Sequence, residues 1–531
     1  MKKLKLSLIA LLALSIVFTT FSACEDGLDG RDGIDGQDGA TGEAGADGED
    51  LTVEPTIFEN KSDLAPLVAM SSQFNFVEAY SLISSSDVLT IDGEEFRIGG
   101  GADGAGMVMN EAGDGYELLV NFEDHFAVAR LSLDETFEIT DASYLLNSDV
   151  ADYARQCSGY MWEKDIHGGD SDLFLSASEA FHYDVKGIDP HITTPNPTGD
   201  FGLDALGEFS WENAVPLPKD TYSGKTVIIG GDDDSSDSEG QVVMYYSESG
   251  DADLTGGDVY VLRLKEVAAS VGTTTTTAVT ANTQYDEGDL TFGVEYEVEF
   301  VKIDNAANLS KSEMETACND VFASQFMRVE DVDYQKGADS NATNVFFAVT
   351  GRGPGRGTYN DWGTVYKLAL DADNPLEGKL TQIISGNTDS NNMDGNLAEL
   401  QSPDNICVTE NFIYTQEDPN SFTRNHSAYI YQSDLNGNNT RVVMELLVRN
   451  DLAQDGSTGL SGEYGALFDI SDKIGEPDTF ILALQPHYWK SDDFAGVDGG
   501  QNSLNHPWIG GPYLEGSQLV VIKGLPRWVF I

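Results

Sequence analysis

The stretch RQCSGYMWEKDIHGGDSDLFLSASE, Arg155 to Glu179, sets the terms on which the rest of the chain is read. Cys157-Ser158-Gly159 has the composition of a turn. A Gly- and Asp-rich loop follows, then the apolar run Leu173-Phe174-Leu175, then Ser176-Ala177-Ser178 and Glu179. The run alternates as a strand end does, so Glu179 is expected where a strand leaves its sheet. A thiol and a carboxylate delivered by neighbouring loops are the makings of a metal site. Taken alone, the segment is also accounted for by a buried structural cysteine and a solvated glutamate.

Short runs of the same kind recur outward from this stretch, between Gly, Asp and Asn turns. They are Tyr116–Asn121, Leu173–Ser176, Thr226–Ile229, Gln241–Tyr246, Val259–Leu264, Val345–Thr350, Thr364–Leu370, Asn411–Thr415, Ala428–Gln432, Thr479–Leu484 and Gln518–Lys523. Many short strands without intervening helical periods indicate an all-β sandwich, barrel or propeller. No fixed-period repeat is visible, so the runs do not count blades. Residues 51–531 read as one body, which a closed all-β ring can hold as a single domain. One helix stands out: Ser310 with Glu313 three residues later makes a capping box, and Met314, Ala317, Cys318, Val321 and Phe322 follow at helical spacing. The run Thr273–Thr277 reads as a surface insertion.

The first 24 residues are an export signal. Lys2, Lys3 and Lys5 precede the apolar Leu6–Phe18 segment, which is short for a membrane span. Phe21-Ser22-Ala23-Cys24 resembles a bacterial lipobox, in which the cysteine is lipidated and becomes the mature N-terminus; ordinary signal cleavage is the alternative. Residues 25–50 follow as a tether with glycine at every third position from Gly27 to Gly48. That period is the collagen signature, but the segment has no proline. A flexible acidic linker and a monomeric protein are expected rather than a trimer. Localisation in the bacterial envelope, lipid-anchored at the outer membrane or cell surface, follows from these segments.

Asp and Glu outnumber Lys and Arg by 90 to 29, a formal net charge of −61, which excludes nucleic acid as a partner class. Any site that handles an anion must create its own local positive potential. With Cys24 lipidated, Cys157, Cys318 and Cys407 remain, an odd number for an exported protein. A Cys318–Cys407 disulfide is left open. A lone thiol retained in an oxidising compartment is a candidate metal ligand.

Glu179 has counterparts. Glu123 follows Tyr116–Phe122, Glu212 lies in LGEFSWENAVP, Glu330 in FMRVED, and Glu417-Asp418 in NFIYTQEDPN. In each, an apolar run gives way to an acid, and in a propeller such ends converge on one axis. Exposed strand ends in an acidic chain account for any one of them. Five, together with Cys157, fit a polynuclear site, with oxygen ligands for calcium and a thiolate for a transition metal such as iron.

These residues resemble those of the PhoX-type alkaline phosphatases. The matching pieces, in order, are Asn121-Phe122-Glu123, Cys157-Ser158-Gly159, Ser176-Ala177-Ser178-Glu179, Trp211-Glu212, the Asp232–Asp234 turn before Gly240-Gln241, Arg328-Val329-Glu330, Pro403-Asp404-Asn405, Gln416-Glu417-Asp418 and Phe480–Pro486. The resemblance implies a β-propeller, six-bladed, with small helical insertions, that holds Fe(III) and Ca2+ at its axis and hydrolyses phosphate monoesters. It implies that Cys157 ligates iron, that Glu179, Glu212, Glu330 and Asp418 are metal ligands, and that Arg328 binds the phosphate. Three departures stand out: Arg155-Gln156 before the cysteine, Phe122 where a histidine is common, and Tyr160-Met161-Trp162-Glu163 in place of a Trp-rich stretch. Asp232, Asp233 and Asp234 read as calcium ligands or as a solvated loop.

The chemistry is coherent on its own terms. Phosphate ester hydrolysis needs neutralised oxygens and a strong oxygen nucleophile, both of which clustered cations supply. A guanidinium clamps two phosphate oxygens, so Arg328 is suited, with Arg352 and Arg356 in GRGPGRGTYNDWG as further candidates. The other reading is a non-enzymatic surface propeller that binds only structural calcium and serves adhesion or ligand presentation.

Replacing Cys24 by Ala should move the protein from the membrane fraction to the soluble one. Unchanged membrane retention on cell fractionation rules the anchor out.

Overall fold

The computed structural model describes residues 57–528, apart from 193, 196–200, 235–239, 267–278, 352–358, 387–394, 420–423, 425 and 454–461. The export signal with Cys24, the Gly-x-y tether, Thr273–Thr277, Arg352 and Arg356 lie outside the described residues. The fold is an all-β propeller of antiparallel sheets, and the eleven runs picked out above all fall on strands.

Six strands line the axis: β1 (Ala102–Met109), β2 (Arg155–Trp162), β3 (Trp211–Pro216), β4 (Val329–Tyr334), β5 (Pro403–Val408) and β6 (Glu463–Asp469). Each packs against the next in that order, and β6 returns against β1. From each, the chain runs outward through antiparallel neighbours; from β1 these are Gly115–Phe122, Ala127–Asp134 and Ile139–Leu146. Glu295–Ile303 pairs with both Asp258–Leu264 and Glu377–Ser385, which joins the sheets of β3 and β4 into one of nine strands. The ring is closed by distant parts of the chain. Glu78–Ser84 pairs with Gln518–Lys523 in the sheet of β6, so two segments more than 400 residues apart lock one sheet.

The core lies between the sheets. Trp211, Tyr245 and Val243 fill one such layer, and Phe347, Tyr366 and Phe326 another. Each large apolar side chain taken fully out of water contributes about 1.5–3 kcal/mol. The sequence-read helix is Lys311–Asp320, and Glu313 Oε2 accepts from the Ser310 backbone N–H (3.0 Å) and hydroxyl (2.7 Å). Lys164–His167 and Ser471–Ile474 are single turns. Cys157, Cys318 and Cys407 are all buried, and Cys318 and Cys407 are not bridged to each other.

None of the six inner strands is among the runs read from the sequence. Cys157-Ser158-Gly159, expected to turn, runs mid-strand in β2. The small residues there serve contact between strands. A Cβ on Gly104 of β1 would lie 2.1 Å from the Gly159 nitrogen, and one on Gly465 of β6 would lie 2.5 Å from the Ala102 carbonyl oxygen.

All six inner strands share a second feature. Near its start, each spends three residues against two of its neighbour. The shifts lie between Ala102 and Ala105, Gln156 and Gly159, Trp211 and Ala214, Val329 and Val332, Pro403 and Ile406, and Tyr464 and Leu467. A bulge of this kind bends the strand and re-aims a side chain out of the alternation.

Replacing Gly104 by Ala should destabilise the protein by about 1–3 kcal/mol, since the new methyl meets main chain with no room to give. A shift in the denaturant midpoint measures it; an unchanged midpoint contradicts the tight β1–β2 seam.

Candidate metal centre

The bulges deliver acids. Asp103 in β1, Cys157 in β2, Glu212 in β3, Glu330 in β4 and Asp404 in β5 sit within the extra-residue segments, and Glu463 lies just before that of β6. The neighbouring strands end at the same level and add Glu123, Glu179, Asp233, Asp418 and His487. Ligand-capable atoms come within 4.8 Å of one another in five triplets, four of them overlapping (Asp103–Cys157–Glu212, Glu123–Cys157–Glu179, Glu179–Glu212–Asp233 and Glu212–Glu330–Asp404) and a fifth, Asp418–Glu463–His487, that shares no member with them. Glu212 belongs to three of them.

The residues that follow the acids bolt the ring together one layer below. Asn213 Nδ2 donates to Asp331 Oδ1 (2.6 Å), Asn405 Nδ2 to Ser158 Oγ (2.7 Å), and the Ile406 N–H to Asp331 Oδ2 (3.3 Å). Asn121 Nδ2 donates to the Cys157 carbonyl (2.7 Å). Beneath that layer a cavity of about 580 Å³ opens at the far ends of the inner strands, lined by Tyr160, Tyr334, Lys336 and Arg527 among others. None of the acids of the five triplets lines it.

Burial and mutual repulsion hold these groups toward their neutral forms. Burial first, then Glu212 and Glu123, push Asp103 well above the usual carboxylate range. Burial, then Asp233 and Asp331, does the same to Glu212, and burial, then Glu212 and Glu463, to Asp404. Glu123 rises to about 7 by burial, with Arg155 pulling the other way, and Glu463 to about 8 by burial and Asp418. The Cys157 thiol is raised by burial, Glu212 and Glu123. Asp404 Oδ1 is buried with no hydrogen-bond partner.

Three cations face eleven carboxylates. Arg155 pairs with Glu123 (2.5 Å), Asp124 (3.0 Å) and Glu179. Arg328 Nε and Nη2 clamp Asp233 at 2.7 and 3.0 Å, and Nη2 also reaches Glu330 at 2.8 Å. His487 lies 2.7 Å from Glu515 and 3.3 Å from Glu463; burial opposes its protonation, but these two acids outweigh it and raise its pKa. Asp103, Glu212 and Asp404 have no arginine among these pairs. An orphaned buried acceptor in a crowded set of oxygens and one thiol fits multivalent cations, oxygen-loving ones at the carboxylates and a thiophilic one beside Cys157.

Of the residues singled out from the sequence, Cys157, Glu123, Glu179, Glu212, Glu330 and Asp418 come together here. Glu212 and Glu330 do so at the starts of inner strands, not at the ends of apolar runs. Glu417 stands apart. Its carboxylate accepts from the Gln401 N–H (2.9 Å) and the Tyr429 N–H (2.9 Å) and lies 3.0 Å from His426 Nε2. Asp232 and Asp234 are engaged by the buried Lys311, at 3.3 and 2.7 Å. Asp103, Asp404, Glu463 and His487 join the site without having been named as ligands. Asp103 lies in a glycine-rich run and Glu463 beside Gly462 and Gly465, where no apolar pattern marks a strand. Asp404 carries the one usable signal, an acid after proline as in the quoted family motif.

Among solved structures, that of Pseudomonas fluorescens PhoX in complex with vanadate, a transition state analogue, matches this chain with a TM-score of 0.54 at 13% identity, covering 88% of this chain and 97% of its own. The two chains share a fold. The PQQ-bound aldose sugar dehydrogenase of Streptomyces coelicolor matches at 9% identity over 85% of this chain and 100% of its own, with a TM-score of only 0.29. No family model and no curated protein matches the sequence.

The raised carboxyls fix the pH response of the cation-free protein. Between the ordinary value of 4.5 and the folded values of about 7 for Glu123 and about 8 for Glu463, the folded state binds more protons than the unfolded one, so stability falls as pH rises. Chelator-treated protein should therefore melt several degrees lower at about pH 8 than at about pH 5, and added calcium should restore the midpoint at the higher pH. A midpoint that rises with pH after chelation contradicts the crowded ring.

Proposed function

We propose that the protein is a metal-dependent phosphatase that hydrolyses phosphate monoesters outside the cytoplasm. The observation that carries this reading is Arg328, held over the acid ring in the conformation an anion clamp needs. Its backbone takes φ +67°, a left-handed conformation that costs a non-glycine residue about 1–3 kcal/mol. Asp233 and Glu330 fix Nε and Nη2, and Nη1 has no protein partner among the described residues. A phosphate oxygen supplies one. The shared fold with a protein captured on vanadate, and the ordered motifs of the PhoX-type family, support the same reading. The six inner strands support the six blades that the resemblance implies.

In this reading Cys157 with Asp103 and Glu123 holds Fe(III), and Glu212, Glu330, Asp404, Asp418 and Glu463 hold Ca2+. When bound, such cations neutralise the phosphoryl oxygens and lower the pKa of an oxygen nucleophile. The chain's own contribution is positional. Arg328 orients the phosphoryl group, Glu330 keeps the guanidinium in plane, and Arg155 balances Glu123, Asp124 and Glu179. Export and a Cys24 lipid anchor put this activity at the bacterial envelope, acting on small phosphate esters. A calcium-only adhesion propeller leaves the thiol at the ring without a use.

Arg328→Ala should keep bound metal and fold but lose activity on an aryl phosphate by about a hundredfold or more. Arg328→Lys should rescue it only in part, because an ammonium cannot hold Asp233 bidentately and still present a fixed donor to the phosphate. Glu330→Ala should lose metal, as measured by elemental analysis. Wild-type inactivity after reconstitution with iron and calcium would sink the phosphatase reading and favour the calcium-binding scaffold.

A further inference from the structure

The rim of the acid ring beside β2 is aromatic. Trp508 is 58% exposed and Phe181 38% exposed, and their ring centroids lie 4.9 Å apart with 34° between the planes. Arg155 connects this pair to the site: its guanidinium carbon is 5.2 Å from the Trp508 ring centre, and the same group pairs with Glu123, Asp124 and Glu179. Phe181 follows Glu179 by two residues and holds φ +67°, a conformation rare for an aromatic residue. The loop that presents Trp508 is anchored. His506 stacks on Phe126 at 4.9 Å and lies 3.2 Å from Asp124, and its carbonyl accepts from the Gly510 N–H at 2.8 Å. An indole left open on a fixed loop, one guanidinium away from buried acids, is a surface ready for a flat partner.

We propose that Trp508, with Phe181, is the platform on which a planar aromatic ring of the substrate stacks, so that nucleotides and aryl phosphates are preferred over aliphatic phosphate esters. The proposal rests on the phosphatase reading. An ester whose phosphoryl group sits over the acids and Arg328 must direct its alcohol portion outward, toward the rim. There a ring gains from the π faces of Trp508 and Phe181, while a polyol does not. Stacking of one base on an aromatic side chain changes affinity by about tenfold or more.

The test compares kcat/KM for adenosine 5′-monophosphate and ribose 5-phosphate, which differ only by the base, in metal-loaded wild type, Trp508→Ala, Trp508→Phe and Ile509→Ser. The ratio should fall about tenfold in Trp508→Ala. It should be kept in Trp508→Phe and in Ile509→Ser, a neighbour that is also 58% exposed. Phenyl phosphate against glycerol 3-phosphate, run in parallel, separates the two sources of a ring: loss in both pairs assigns the platform to any planar group, loss in the nucleotide pair alone to a nucleobase. An unchanged ratio in Trp508→Ala, with wild type active on both substrates, overturns the platform and leaves the phosphatase reading standing. If wild type hydrolyses neither, that reading fails, and titration calorimetry with the same two ligands decides the platform. Tighter binding of the adenosine ester that is lost in Trp508→Ala supports it, and equal binding overturns it.

Discussion

One extra residue near the start of each inner strand is the constraint on which this structure depends. In a regular strand successive side chains alternate between faces, and an inner strand of a propeller would send every second residue toward its neighbours. The bulge breaks that alternation once per strand. At β3, β4 and β5 it places Glu212, Glu330 and Asp404 at the axis and Asn213, Asp331 and Asn405 just below them. The second set then makes hydrogen bonds that join β3 to β4 and β4 to β5, and one that reaches across the axis from β5 to β2. Charge convergence and ring closure come from the same backbone irregularity. Neither could be altered without the other, because the acid and the clamp are consecutive residues.

Convergence carries a free-energy cost that the protein does not settle internally. Eleven carboxylates and a thiol meet two guanidinium groups and one imidazole. The two guanidinium groups sit toward one side each, Arg155 with Glu123, Asp124 and Glu179, and Arg328 with Asp233 and Glu330. Asp103, Asp404 and Glu212 pair with neither guanidinium group, and burial together with repulsion from nearby acids raises all three. A group that binds the folded state alone returns this free energy as stability. The arrangement is unfavourable for a protein without cations and favourable for one with them.

The outer sheets were legible and the inner ones were not, for one physical reason. Strands such as Thr226–Asp232 and Thr479–Gln485 are apolar throughout because both faces pack on other sheets, and such runs are visible in any sequence. The inner strands must line a polar axis and touch one another closely. Ala102–Met109 reads ADGAGMVM, with Gly104 needed for contact and Asp103 for the axis, and nothing in it signals a strand. Local propensity fails where the chain is committed to function. The site was half legible on the same grounds. Glu123 and Glu179 end apolar runs and were found by that sign, and Glu417 carries the same sign but turns outward to satisfy Gln401 and Tyr429. Asp103, Glu463 and His487 follow no run at all, and only the ring of six strands brings them to Cys157 and Glu212.

Charge poses the remaining problem. With a net charge of −61, the protein repels any anion at long range, so a site that takes the proposed phosphate ester has to reverse that sign within a few ångströms. Screening limits the repulsion to about 8 Å at physiological ionic strength, so an ester that reaches the rim responds to local groups only. Locally, Arg328 and Arg155 flank the ring on the sides of β4 and β2, each fixed by carboxylates it does not share with the other. Such pairing keeps both guanidinium groups planar and in place while it lowers their net attraction. Two arginines neutralised by their own partners cannot by themselves draw an anion into a field of eleven acids. In the phosphatase reading the rest of the positive potential comes from cations on those acids, and so the excess of carboxylates and the handling of an anion are consistent demands on one site.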